Sequence, residues 1–189
     1  MTYFILPFLF WLVTAVVYTF TQSLNFFIPN NYVIALFILP FLAVALKQFS
    51  FSSFGFRPGK PLAGLFWMIF LPAVLFVRLY FMGKTFHLDS FPWYLVFGSL
   101  GEEFFYRGYL QEVFKKFGLN GSFFITNLLF ALIHFIKGYS IFAAFLTGLI
   151  GLYFSFTKDK QGGDSLFYSM GAHTLYNIVV TAMGRGGPY

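Results

Sequence analysis

The sequence predicts an all-α protein, a polytopic bundle of about seven membrane-spanning helices that encloses a polar cavity inside the membrane. Its 189 residues are 59% hydrophobic and only 10% charged. About a quarter of the residues in a soluble domain are charged, so lipid must solvate much of this surface. The apolar runs also lack the period-2 alternation of a membrane barrel. Helices are then the structure that can hydrogen-bond every backbone N–H and C=O group within lipid.

Seven apolar runs are the predicted spans. Each is roughly long enough to cross about 30 Å of hydrocarbon as a helix, although the fifth is short. They are Thr2–Phe20, Asn31–Phe49, Pro61–Met82, Phe91–Tyr109, Ser122–Ile136, Tyr139–Phe156 and Ser165–Met183. The first run lacks the basic segment and cleavage site of a signal peptide, so we expect it to be retained. The short join at Lys137–Gly138 predicts a tight antiparallel hairpin.

The charge pattern predicts the orientation and partners of this bundle. The net charge of +6 is dispersed, without the basic face of a nucleic-acid-binding protein, so we expect no nucleic-acid partner. Lys and Arg concentrate in the second, fourth and sixth connections, which the positive-inside rule places in the cytoplasm, although Lys84 and Arg185 argue against it. We predict a multi-pass protein of the cell (plasma or inner) membrane, with residues 1–189 forming one membrane-embedded domain.

A few polar residues lie inside the predicted spans. A charged side chain at mid-bilayer costs about 2.5–3.5 kcal/mol on insertion scales, so such residues face the bundle interior and usually mark function. They are Glu102, Glu103, Arg107, His134, His173 and Asn177. Asp159 and Asp164, by contrast, are interpreted as solubilising residues of a loop.

The spacing of these residues predicts which of them share a helix face. Glu103 and Arg107 are four apart and can pair, while Glu102 lies about 100° around the helix and is left to point elsewhere. His173 and Asn177 are also four apart. Three helices can therefore present Glu102, His134 and the His173/Asn177 pair to one cavity.

These residue types suit the hydrolysis of an amide by an activated water. A carboxylate can act as general base, a histidine can share the proton, and a second histidine with an asparagine amide can donate to an oxyanion. The alternative is structural, because polar side chains also join membrane helices at about 0.6–2 kcal/mol per contact. Taken by itself, the pair of Glu103 and Arg107 is interpreted as mostly structural. The combination of two glutamates, two histidines, an arginine and an asparagine on three helices is much harder to explain in this way.

Other protease chemistries fit the sequence poorly. There is no cysteine nucleophile, because the chain has no cysteine. No glycine-rich serine motif occurs, and Ser169 is interpreted as helix packing. The H-E-x-x-H zinc motif is absent. A zinc set of Glu102, His134 and His173 remains a second hypothesis, and no cofactor is the first.

Three short motifs resemble those of the CPBP intramembrane proteases, the family of the CAAX prenyl endopeptidases and many bacterial immunity-type proteases. They are E-E-x-x-x-R at 102–107, F-x-x-x-H at 130–134 and H-x-x-x-N at 173–177, in this order within a motif-bearing core of about Phe97 to Ala182. The resemblance implies that Glu102 and His134 activate water and that His173 and Asn177 stabilise the oxyanion. It also implies that Glu103 and Arg107 orient the site.

The expected substrate is a membrane-anchored protein or peptide precursor, cleaved near its membrane-associated C-terminal part or anchor. Two other hypotheses stay open. One is a non-catalytic membrane chaperone or scaffold of the same fold. The other is a small transporter that uses Glu102 and His173 as a proton relay, which the lack of an internal repeat disfavours.

Overall fold

The computed structural model describes residues 2–23, 31–87 and 94–184, and these residues contain helices but no β-strand, as predicted. Two π-helical segments, Phe104–Leu110 and Thr157–Gln161, continue the helices before them, and there are 3₁₀-helices at Phe51–Phe54 and Lys115–Phe117. The α-helices are α1 (Thr2–Ser23), α2 (Asn31–Ala45), α3 (Pro61–Phe81), α4 (Tyr94–Glu103), α5 (Gln111–Phe114), α6 (Gly118–Ile136), α7 (Ile141–Phe156) and α8 (Leu166–Gly184).

The outer surface of this bundle is apolar. Within the residues that the structure describes, three helical stretches are long and apolar enough to cross a membrane, namely Pro61–Phe81, Leu95–Ile136 and Ile141–Gln161. Two shorter apolar helices cover Ile5–Phe20 and Tyr32–Ala45. Large hydrophobic side chains stand on the outside of these elements, as expected for a surface solvated by lipid. The predicted count of seven spans stays a prediction.

The connection between the fourth and fifth predicted spans differs from the expected loop. The chain stays helical through Lys115–Phe117, and α6 begins at Gly118, four residues before the predicted start. Gly118 has a φ of +79°, which glycine adopts without the steric clash of a Cβ atom. The hydroxyl of Ser122 donates to the carbonyl of Gln111 at 2.5 Å. Such a contact across eleven residues requires the chain to reverse at Gly118, so α6 folds back on α5.

The helix that carries the two glutamates is not a regular α-helix. It widens directly after Glu103 into the π-helical segment Phe104–Leu110, and every residue of that segment is buried. The N–H of Gln111 bonds to the carbonyl of Tyr106, the five-residue spacing of a π-helix. This widening was not predicted, because residue spacing alone cannot distinguish it from an α-helix.

Aromatic packing joins the N-terminal helices to the glutamate helix. The centre of the Phe104 ring lies 4.6 Å from the ring centre of Phe54, 5.3 Å from that of Phe41 and 5.9 Å from that of Phe37. Phe37 and Phe41 belong to α2. Elsewhere α8 packs between α3 and α4, and α6 packs along α7. The two glutamates therefore lie in the interior of the bundle.

One end of the bundle contains a buried network of ion pairs. The ammonium of Lys158 is fully buried and lies 2.8 Å from Oδ1 of Asp159 and 2.7 Å from Oδ1 of Asp164, and it also contacts Glu112. Lys115 binds Glu112 at 2.7 Å and Asp164 at 2.8 Å. The interpretation of Asp159 and Asp164 as solubilising residues is therefore wrong. Asp164 does lie in a loop, as predicted, but Asp159 belongs to the π-helical segment Thr157–Gln161. Both neutralise a buried lysine.

This network also explains why the three carboxylates are a poor metal site. Oxygen atoms of Glu112, Asp159 and Asp164 lie within 4.8 Å of one another, which is close enough for one ion. However, the two lysine ammonium groups lie among these oxygens and supply the compensating positive charge. We therefore assign the cluster a structural role.

We expect Lys158→Met to lower the free energy of unfolding by about 3–5 kcal/mol, because breaking a buried pair leaves uncompensated charge. Thermal unfolding of the purified protein in detergent measures the change. Lys160→Met is the matched control, since Lys160 is exposed two residues further on. Equal unfolding temperatures for the two variants would contradict the structural role.

Candidate active site

The first part of the candidate site is a buried ion pair between Glu103 and Arg107. Nη1 of Arg107 lies 3.1 Å from Oε1 of Glu103, and both side chains are fully buried. Nδ1 of His173 lies 2.9 Å from the same oxygen. A carboxylate paired with arginine only accepts hydrogen bonds, so Nδ1 of His173 is the donor. The predicted pairing of Glu103 with Arg107 is thus present, and it also fixes the ring of His173.

Arg107 connects its own π-helical segment to α6 and α7. Its Nη2 donates to Oδ1 of Asn127 on α6 at 2.8 Å and to the carbonyl of Gly151 on α7 at 3.0 Å. Its guanidinium carbon lies 4.4 Å from the centre of the Phe130 ring. The amide nitrogen of Asn127 donates in turn to the hydroxyl of Ser155 at 2.9 Å. These contacts use the planar, multidentate geometry that distinguishes arginine from lysine.

Glu102 points away from this pair. Its Oε1 accepts from Nζ of Lys137 at 2.7 Å and from the hydroxyl of Tyr32 at 3.3 Å. Its Oε2 lies 3.8 Å from Nε2 of His173. The two neighbouring glutamates thus face the two nitrogens of the same histidine, with Glu103 at Nδ1 and Glu102 at Nε2.

His134 lies near the C-terminal end of α6 with a defined ring orientation. Its Nδ1 lies 2.8 Å from the carbonyl of Phe130, one turn earlier. Because a carbonyl only accepts, Nδ1 carries the proton, and in the neutral ring Nε2 has the lone pair that can accept one. The ring centre of Phe130 lies 4.6 Å from that of His134 and 6.1 Å from that of His173. One phenyl ring therefore packs against both histidines.

Asn177 connects α8 to the helix of the glutamates. Its amide nitrogen donates to the hydroxyl of Ser99 at 2.8 Å, and Ser99 donates to the carbonyl of Leu95 at 2.7 Å. Ser99 precedes Glu102 by three residues on α4. An amide nitrogen carries two protons, so this bond uses one and leaves a second donor.

The structure brings together most of what the sequence predicted and adds residues that it did not. Glu102, Glu103, Arg107 and His173 form one contiguous set, joined by the distances given above. His134 lies against it through Phe130, and Asn177 borders it through Ser99. The residues missed were Lys137, Tyr32, Asn127 and Ser99. Lys137 had a signal, since it follows His134 by three residues and shares its helix face, but Tyr32 lies in a part of the sequence without a motif.

The geometry does not fit the hypothetical zinc set. Among the described residues, the one group of three potential ligands within 4.8 Å of one another is Glu112, Asp159 and Asp164, not Glu102, His134 and His173. The ammonium of Lys137 also binds Oε1 of Glu102, where it would repel a cation. We therefore derive no step through a metal.

The contact between Arg107 and Gly151 generates a packing prediction. A Cβ atom on Gly151 would lie 2.4 Å from Oδ1 of Asn127, 2.6 Å from Nη2 of Arg107 and 3.0 Å from Phe130. We expect Gly151→Ala to lower the free energy of unfolding by about 1–3 kcal/mol, because these buried groups must shift.

The control for this prediction is Gly98→Ala on α4, where an added Cβ atom meets nothing within 4 Å. We expect that variant to be neutral or stabilised by up to about 1 kcal/mol through helix propensity. Thermal unfolding in detergent measures both variants. An unaltered Gly151→Ala protein would show that the arginine site tolerates displacement.

A comparison with known protein families identifies the family of this chain. Residues 85–179 match the family model described as type II CAAX prenyl endopeptidase Rce1-like. The match covers more than half of the 189 residues and includes the two glutamates, Arg107 and both histidines of the site. No curated protein and no solved structure shows a significant match. The chain is therefore a helical membrane protein of the Rce1-like type II CAAX prenyl endopeptidases, within the CPBP family that the three motifs predicted.

Proposed function

We propose that this protein is an intramembrane endopeptidase of the glutamic type. It hydrolyses a peptide bond near the membrane-associated C-terminal part or anchor of a protein or peptide substrate. Membership in a protease family supports protease activity in general. The mechanism, the substrate and the location in the plasma or inner membrane are the proposal.

The observation that carries the proposal is the placement of His173 between two glutamates. Nδ1 lies 2.9 Å from Glu103 and Nε2 lies 3.8 Å from Glu102, with all three side chains buried. The ring is also stacked on Phe154 at 4.6 Å, which fixes its plane. A purely structural polar contact does not require the second carboxylate. A carboxylate beside an imidazole whose other nitrogen is held by a second carboxylate is instead the arrangement of a general base with a proton relay.

The proposed reaction assigns each group one task. Glu102 removes a proton from water with Oε2, assisted by Nε2 of His134. The resulting hydroxide attacks the scissile carbonyl. The proton passes to Nε2 of His173, whose Nδ1–H is already bound to Glu103, and the protonated ring donates a hydrogen bond from Nε2 to the oxyanion. The amide nitrogen of Asn177 donates the other hydrogen bond to the oxyanion with its second proton. As the C–N bond breaks, His173 transfers its Nε2 proton to the leaving amine and returns to the neutral form.

We expect Glu102→Gln and His134→Ala each to reduce cleavage about 10²–10⁴-fold, the usual contribution of a positioned acid or base. The assay offers quenched fluorescent peptides that each carry one apolar anchoring segment at the C-terminal end. Protein in detergent is incubated with them, and mass spectrometry locates the cut. His87→Gln is the control, because His87 lies outside the site in the loop after α3.

Two results would contradict this prediction. Cleavage by folded Glu102→Gln at the rate of the wild type would remove Glu102 from the mechanism. Retained function in cells of both variants would favour the non-catalytic chaperone or scaffold. Thermal unfolding of each variant in detergent distinguishes loss of activity from loss of fold.

We also expect strong chelation to leave cleavage within about 2-fold of the untreated rate, because the proposed base is a carboxylate. A zinc enzyme, by contrast, would lose its water-activating ion. The protein is dialysed against a chelator and assayed on the same peptides, and zinc is then added back. Loss of activity that zinc restores would establish the alternative, a zinc-dependent protease that uses Glu102, His134 and His173.

A further inference from the structure

The two carboxylate oxygens of Glu102 lie in different surroundings. Oε1 contacts Nζ of Lys137 at 2.7 Å and the hydroxyl of Tyr32 at 3.3 Å. Oε2 faces Nε2 of His173 at 3.8 Å. One oxygen is thus held by a cation and a hydroxyl, while the other is directed at the histidine of the proposed proton relay.

The backbone fixes Lys137 beside this glutamate. Lys137 directly follows Ile136, the last residue of α6, and its N–H bonds to the carbonyl of Ile133 at 2.9 Å. Gly138 follows with a φ of +90° and turns the chain toward α7. Lys137 lies three residues after His134, so both side chains project from the same side of the helix end. Its position is therefore set by the helix that also carries a proposed catalytic histidine.

Two tyrosines hold the ammonium group itself. Nζ of Lys137 lies 4.1 Å from the centre of the Tyr32 ring and 5.8 Å from that of Tyr18. The two rings pack edge to face at 5.8 Å. Cation–π contacts of this kind strengthen as the cation is desolvated, and the Lys137 side chain is only 15% exposed. Tyr32 thus contacts both partners of the pair, the lysine through its ring and Glu102 through its hydroxyl.

The burial of Glu102 makes this cation important. The Glu102 side chain is 10% exposed, and a carboxylate in a membrane interior is strongly disfavoured without a partner. Among the described residues, Arg107 directs its contacts to Glu103, Asn127 and Gly151. In the described part of the chain, Lys137 is therefore the basic residue that contacts Glu102 and compensates its charge.

We infer that Lys137 is a positioning residue of the proposed reaction, which with Tyr32 clamps Oε1 of Glu102 so that Oε2 faces His173 and the attacking water. This inference rests on the proposed function, because it assigns Oε2 the role of base. Lys137 acts through Glu102, so its removal affects the chemical step. Removal of a lysine that bound the substrate would instead weaken substrate affinity. Removal of a lysine that only blocked the site would speed up the reaction.

The kinetic test compares Lys137→Met with Lys137→Arg on the quenched peptides. We expect Lys137→Met to reduce kcat about 10–100-fold with KM within about 2-fold, because an interaction needed for the chemical step is lost. We expect Lys137→Arg to recover most of the lost kcat, since it keeps the charge. Lys84→Met, in the turn after α3, is the control and keeps the kcat of the wild type.

Two kinetic results would overturn the inference. A raised KM with unchanged kcat would assign Lys137 to substrate binding. An unchanged or increased kcat in Lys137→Met would mean that the ion pair does not position the base. Equal loss of kcat in the Met and Arg variants, with lowered unfolding temperatures in both, would assign the lysine to folding alone.

A second measurement does not depend on cleavage. Dicyclohexylcarbodiimide adds to protonated carboxyl groups in apolar surroundings, and mass spectrometry locates the resulting acylurea. We expect the fraction of Glu102 modified at neutral pH to rise at least about 5-fold in Lys137→Met, because a buried carboxylate that loses its cation takes up a proton. Modification should stay at the level of the wild type in Lys137→Arg and Lys84→Met.

Equal modification of Glu102 in the wild type and Lys137→Met would overturn the pairing and with it the inference. A wild-type protein that cleaves none of the peptides would count against the proposed function alone. The labelling would then still decide whether Lys137 holds Glu102, so the two failures are distinguishable.

Discussion

The buried ion pair between Glu103 and Arg107 is the constraint on which the rest of the structure depends. Both side chains are fully buried, so the polar contacts that the pair makes come from neighbouring protein groups. Those contacts come from His173 on α8, from Asn127 on α6 and from Gly151 on α7. Because each partner lies on a different helix, the pair determines how three helices meet the helix of the glutamates. Removing one charge from such a pair costs about 3–5 kcal/mol, because the other charge is then buried without its partner.

The ion pair also explains why two consecutive glutamates have different surroundings. Adjacent residues on a helix are separated by about 100°, so a helix that directs Glu103 toward Arg107 must direct Glu102 toward another wall of the interior. That wall is formed by Tyr32 and by the end of α6, where Lys137 lies. In the proposed mechanism, one glutamate orients the site and the other acts as the base. His173 contacts the first at Nδ1 and faces the second at Nε2, and so couples the two roles.

The sequence predicted the parts of this arrangement that depend on local spacing. The apolar runs predicted the helices to within a few residues at most ends, and the four-residue spacing predicted the pairing of Glu103 with Arg107. What it missed depends on contacts between distant segments. Tyr32 and Glu102 are 70 residues apart, and Lys158 is buried only because carboxylates from two other segments surround it. A lysine after an apolar run looks the same in sequence whether it meets water or a carboxylate, so only tertiary packing distinguishes the two cases.

The contribution of the N-terminal helices shows how far the site extends beyond its motifs. The family match begins at residue 85, whereas Tyr32 of α2 donates to Glu102 and its ring covers the lysine that binds the same oxygen. The aromatic contacts of Phe37 and Phe41 with Phe104 hold α2 against the glutamate helix at the start of its π-helical segment. Low dielectric strengthens a charge interaction and equally penalises a charge left alone, so a carboxylate in this interior needs an enclosing wall as well as a partner. The N-terminal helices provide that wall. They are therefore part of the candidate site, although no motif in their sequence indicates it.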